Sequence, residues 1–186
     1  LGRLREALRQ LEAARTAADS APDRLPWVGV TVSLIRLYRE SGDIARAVDL
    51  GEAALRRGAA LQIDAAPGYA ALVSTVAGVY AERGDLMRAQ VILDDLIERL
   101  GDRAVEDDRA KALWNASINA TERGYAAEGM QIVEQALMLA AVGSDLSVQA
   151  RLRYTRAWIM LQQKPPRASE ALAELRALLP EARQHS

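Results

Sequence analysis

The 186 residues set 24 Lys and Arg against 25 Asp and Glu, a formal net charge of −1, and 50% of them are hydrophobic. A chain this close to neutrality has no global attraction for nucleic acid or for an anionic membrane. With no Cys and a single His there is no disulfide framework and no thiolate metal site; no run approaches the ~18 apolar residues of a membrane span, and no secretory signal is read.

The expected elements are helices throughout. Residues 3 to 19 place Leu4, Leu8, Leu11 and Ala14 on one face at helical spacing. Ala21-Pro22-Asp23-Arg24-Leu25-Pro26 is a break, and Pro26 suits a first helical turn. Residues 27–41 and 43–60 read as one helix pair. The run Val28 to Ile35 is β-branched, but it is embedded in a repeat and is read as helix. Asp64 to Gly68 punctuates, with Pro67 also compatible with a first turn. Pairs follow at 68–83 with 85–100, at 105–123 with 125–141, and at 146–163 with 166–183. Gly101-Asp102 and Gly143-Ser144-Asp145 separate them. In the last helix Leu172, Leu175, Leu178 and Leu179 make a wide apolar stripe. A terminal repeat needs a polar outer face. The stripe is therefore expected to pack wholly inward on 146–163, to be covered by further repeats, or to form a homodimer contact.

A self-similar unit runs through these pairs. Leu37-Tyr38-Arg39-Glu40-Ser41-Gly42-Asp43-Ile44-Ala45-Arg46-Ala47 returns as Val79-Tyr80-Ala81-Glu82-Arg83-Gly84-Asp85-Leu86-Met87-Arg88-Ala89. Gly ends one helix, because it takes the left-handed C′ conformation without a Cβ penalty. Asp caps the next, because its carboxylate accepts from an orphan N–H. The turn glycines Gly2, Gly42, Gly84 and Gly124 stand 40, 42 and 40 residues apart, and the next step of 40 meets Lys164-Pro165-Pro166. Five residues after each Gly sits a small residue, Ala7, Ala47, Ala89 and Gly129. Two helices joined by a short turn cross closely only there. In the last copy Ala168 takes the role one place early, which predicts a turn one residue shorter.

Tyr-x3-Gly-Asp-x3-Ala resembles the tetratricopeptide repeat signature. The family's small residue three before the Tyr position is matched by Ala77, Ser117 and Ala157, and Ile35 departs from it. The Tyr position itself degenerates to Ala120 and Met160 in the last two copies. The period is longer than the 34 residues of a standard tetratricopeptide repeat, and on period alone HEAT or armadillo repeats of ~40–47 residues remain open. The Gly-Asp turn and the small residue after it favour the tetratricopeptide type. The chain is similar to longer members of that type: the sensor regions of LuxR-type, maltose-regulator-like bacterial transcription activators, and repeat scaffolds such as kinesin light chain. The resemblance implies an all-α, right-handed α-solenoid of antiparallel helix pairs with about nine helices. It would be one domain over 1–186, with a partial repeat at 1–20 and repeats at 26–60, 68–101, 105–141 and 146–183. Because the chain opens in mid-repeat, it is expected to be a fragment of a longer, cytoplasmic protein.

The side chains offer no catalytic set. His185 stands beside the C-terminus, where a tail residue is the ordinary reading. Neither a nucleophile–histidine apparatus nor a zinc site can be assembled around it. Asp94-Asp95 and Glu106-Asp107-Asp108 lack calcium-loop spacing and read as solvated surface or caps. The glycines form no phosphate-binding loop. No enzyme, metal or cofactor is expected. The resemblance implies instead that first helices line a concave groove, carried by position onto Arg36, Arg39, Ser74, Lys111, Trp114, Asn115, Asn119, Arg151, Tyr154 and Trp158. Trp114, Tyr154 and Trp158 have a second reading as inter-repeat core in an aromatic-poor protein. Val32 and Ser74 stand where chaperone-binding members carry Lys, which speaks against that clamp. The expected function is non-enzymatic binding of a protein, peptide or small effector, in the sensor part of a transcriptional regulator or in a free-standing scaffold.

Overall fold

A computed structural model describes residues 2–19, 25–63, 68–101, 106–143 and 145–184. Among them are nine helices and no strand: α1 (Gly2–Asp19), α2 (Leu25–Glu40), α3 (Ile44–Leu61), α4 (Tyr69–Glu82), α5 (Leu86–Leu100), α6 (Glu106–Glu122), α7 (Ala126–Ala140), α8 (Leu146–Gln162) and α9 (Ala168–Gln184). The expected break at 21–24, Pro67, Asp102, Ser144 and His185 lie outside the described residues, as do the side chains of Glu106 and Asp107. Two compact units emerge, Leu1–Ile92 and Leu93–Ser186, with the boundary inside α5. Val28 to Ile35 is helical, as its place in the repeat requires.

The turns follow from one hydrogen-bond pattern. Gly84 has φ +87°, a left-handed conformation that suits Gly. Its N–H donates to the Ala81 carbonyl and the Asp85 N–H to the Tyr80 carbonyl, both at 2.9 Å, which closes the end of α4 as a Schellman motif. The same two bonds form at Gly42-Asp43 and at Gly124-Tyr125. Asp43 and Asp85 then accept from the backbone N–H of Arg46 (3.2 Å) and Arg88 (3.3 Å), satisfying orphan donors of α3 and α5. Tyr125 makes no such side-chain cap.

The fourth turn corrects the sequence expectation. There the Arg167 N–H reaches the Met160 carbonyl at 3.0 Å, and the Ala171 N–H bonds the Arg167 carbonyl at 3.0 Å. Tyr80, Asp85 and Ala89 make the same chain of bonds in the second copy. The turn from Met160 is therefore two residues longer than its equivalents, not one shorter. Ala168 is exposed and Ala171, 1% exposed, is the small residue of the crossing. Without Gly, and with two Pro lacking N–H groups, Lys164-Pro165-Pro166 cannot make the tight form.

In the first unit α3 buries a seam of small residues, Ala47, Gly51, Ala54 and Gly58. Small residues let α4 approach: a Cβ on Gly51 would stand 2.9 Å from Val76 Cγ2, and one on Gly58 2.5 Å from Tyr69 Cε2. Val28, Leu34 and Ile35 of α2 and Leu72, Val76 and Val79 of α4 complete this core. In the second unit Leu113, Met130, Val133, Leu152, Ile159 and Met160 form the cluster among α6, α7 and α8, with Ala171 of α9. Here the close crossing is at Gly129, where a Cβ would meet Thr121 Oγ1 and stand 2.8 Å from the Ser117 carbonyl oxygen.

Candidate functional site

Tyr38 and Tyr80, the most recognisable residues of the repeat, are structural. Each is buried, and each hydroxyl donates to a Glu on the second helix of the preceding copy: Tyr38 to Glu12 at 2.6 Å, Tyr80 to Glu52 at 2.8 Å. Arg88 lies 4.7 Å from the Tyr80 ring centroid and 3.1 Å from the Glu52 carboxylate. Burial, and then the Glu52 hydrogen bond, pushes the Tyr80 phenol up to about 12. The reciprocal bond from Tyr80, against some cost of burial and with help from Arg88 and Arg56, holds the Glu52 carboxyl below its usual range. Sequence reasoning missed Glu12 and Glu52, although their 40-residue spacing is the signal that could have found them.

The second unit carries most of the expected groove residues on α6 and α8, and contacts between the two helices join Trp114, Arg151 and Lys111. Trp114 is half-buried against the core cluster, and its Nε1–H donates to Thr155 Oγ1 at 2.7 Å. The Arg151 guanidinium sits 5.9 Å from the Trp114 ring centroid, at the outer edge of a cation–π contact. Lys111 Nζ lies 3.8 Å from an Asp145 carboxylate oxygen. Asp145 caps α8, accepting from the N–H groups of Ser147 (3.0 Å) and Val148 (3.3 Å). The Ser147 hydroxyl, set against a cost of burial and helped by those amides and Lys111, holds its carboxyl below the ordinary range. The Asn115 amide donates to the Lys111 carbonyl of its own helix at 2.9 Å. Trp158 is half-buried against the same cluster.

Three expected residues stand elsewhere. Asn119 is 2% exposed and is withdrawn from the surface set. By repeat spacing it takes the place of Val79 and Ile159, both fully buried, so the helix turns that position into the core. Tyr154 is 61% exposed and lines an apolar groove with α9 instead of standing beside Trp114. Arg36 is exposed on α2 in the first unit. Of the two further groove positions there, Arg39 is ion-paired with Glu82 and Ser74 is half-buried. Among the described residues no group of three or more His, Cys, Asp or Glu is placed to hold a metal. No helix among them is long and apolar enough to cross a membrane.

No family model matches the sequence, and no curated protein does. Solved structures do. The chain is similar to the putative kinesin light chain of Podosopora anserina with nearly identical TPR-like repeats, at TM-score 0.72 and 18% identity over 97% of this chain and 89% of that one. A singly substituted form of that protein gives TM-score 0.76 and 17% identity over 98% and 90%. BtubC (BKLC) from P. vanneervenii gives TM-score 0.72 and 16% identity over 98% and 73%. At these identities the likeness is one of fold: a TPR-like helical repeat.

Proposed function

We propose that this chain is a non-enzymatic repeat scaffold that binds a protein or peptide segment on the α6/α8 surface. The observation that carries it is the half-exposed indole of Trp114, held at one edge by Thr155 and flanked by Arg151. A rigid aromatic with a neighbouring Arg is what binding hot spots use, because little side-chain entropy remains to be lost. Among the described residues Lys111 is held by one solvent-facing pair worth ~0–1 kcal/mol, so a ligand carboxylate competes for it readily. Trp114 therefore acts as the apolar anchor, with Lys111 and Arg151 meeting acidic groups and Asn115 and Trp158 at the margin. A role as the sensor segment of a transcription activator rests on sequence resemblance alone; a helix-turn-helix or a P-loop ATPase module in the same polypeptide would be its evidence.

The test is selection of a displayed 12-residue peptide library against the chain, followed by titration of the selected peptides. Trp114→Ala and Arg151→Ala are expected to weaken binding about tenfold or more. Retention of folded helix content by circular dichroism separates that from unfolding. Selected peptides indifferent to both substitutions would place the binding surface elsewhere.

A further inference from the structure

The Asp145 carboxylate divides its work between its two oxygens. Oδ1 takes the cap of α8, accepting from the N–H groups of Ser147 (3.0 Å) and Val148 (3.3 Å) and from the Ser147 hydroxyl (2.7 Å). Oδ2 makes none of these bonds and stands 3.8 Å from Lys111 Nζ on α6. A cap needs one acceptor oxygen, which Asn supplies as well as Asp. Another first helix, α4, starts at Gly68 with no side-chain cap bond at all. What Asp145 adds to the cap is a second oxygen and a charge, and that oxygen is the one beside Lys111.

Lys111 lies one helical turn before Trp114 on α6. With α8 packed beside it, 41% of the Lys111 side chain and 36% of the Asp145 side chain stay exposed, so a ligand can reach the pair. A ligand carboxylate that takes Lys111 displaces Asp145 and then stands near a second carboxylate that has lost its cation. Like charges so placed disfavour association. An acidic group by itself therefore gains little here.

We infer that Asp145 is a built-in competitor: in the free chain its Oδ2 fills the place of the ligand's carboxylate on Lys111, and binding hands Lys111 from one to the other. This role rests on the α6/α8 surface being the binding site. Its consequence is selectivity. A lone carboxylate exchanges one ion pair for another and is not retained. A peptide segment that also seats an apolar side chain on Trp114 holds its acidic group near Lys111 at high effective concentration and completes the exchange. None of the cap bonds involves Oδ2, so α8 keeps its cap in both states.

The probes are two fluorescein-labelled peptides, Gly-Glu-Leu-Leu-Glu-Gly and its uncharged counterpart Gly-Gln-Leu-Leu-Gln-Gly, titrated with the 186-residue chain. Asp145→Asn keeps the capping oxygen and removes the charge. It is expected to widen the preference for the acidic over the amide peptide about three- to fivefold, chiefly by tightening the acidic one. In a Lys111→Gln chain the same step is expected to widen it by less than about twofold, because no cation is left to release. Circular dichroism checks that each variant folds. An unchanged preference in Asp145→Asn overturns the role of Asp145. So does an equal widening with and without Lys111, which marks a long-range effect of charge. In either case, peptides still weakened by Trp114→Ala leave the surface itself standing. Peptides that bind but are indifferent to both Trp114→Ala and Arg151→Ala overturn the surface and the role of Asp145 with it. Absence of saturable binding of the acidic peptide, to the parent and to Asp145→Asn alike, overturns both.

Discussion

At Gly84 the backbone, not a contact, decides. A Cβ there meets nothing within 4 Å, yet φ is +87°. Gly84→Val should therefore lose ~1 kcal/mol or more through strain alone, read as a lower urea midpoint. Tyr80 makes a second prediction at this scale. Its phenol keeps its proton to about 12 in the folded chain, against 10.0 ordinarily. Between those values the unfolded chain has released a proton that the folded chain still holds. The contribution is thus whole below pH 10 and is lost as pH rises toward 12. Unfolding free energies measured from about pH 8 to 12 should fall in that window, and less steeply in Tyr80→Phe. Tyr38, whose phenol is raised by burial and by Glu12, adds a smaller effect in the same direction.

Within a helix the phase of the small residue is the testable feature. Ala89 is 1% exposed at the start of α5, whereas Arg88 is exposed, its guanidinium pairing with Glu52 and lying over the buried Tyr80 ring. Ala89→Leu should cost ~1–3 kcal/mol through overpacking. Arg88→Leu should cost ~1 kcal/mol or less, because partly exposed ion pairs contribute little. Equal losses would contradict the helix phase. The helices and three of the four turns were legible from sequence, since the turn Gly and the small residue five places on are local signals. The fourth turn was not. Once Pro165 and Pro166 replace Gly-Asp, loop length is set by which small residue, Ala168 or Ala171, fits the crossing.

For the whole molecule, repeat architecture predicts additivity. Stability in stacked repeats is a sum of local terms and nearest-neighbour interfaces. Gly51→Val strains Val76 in one unit, and Gly129→Ala strains Ser117 and Thr121 in the other. The second change should still lose about 1–2 kcal/mol after the helix-propensity gain of replacing Gly. With no partner in common among these contacts, the double variant should lose the sum of the two within about 0.5 kcal/mol by urea denaturation. A larger departure would mean that the two sites are coupled.

The sequence by itself determined the all-α class, the repeat phase and the helix pairs, because periodicity and turn chemistry act over a few residues. Only the tertiary structure decided which side chains form a surface. Asn119, on a first helix, was carried into the groove by its repeat position, but its helix turns it into the core, in the place held in other copies by Val79 and Ile159. Trp114 and Tyr154 occupy one and the same repeat position. Trp114 is half-covered because α8 packs over it, and Tyr154 is open because nothing among the described residues does. Burial depends on what lies across the gap, and that is a property of neighbours in space that no local pattern encodes.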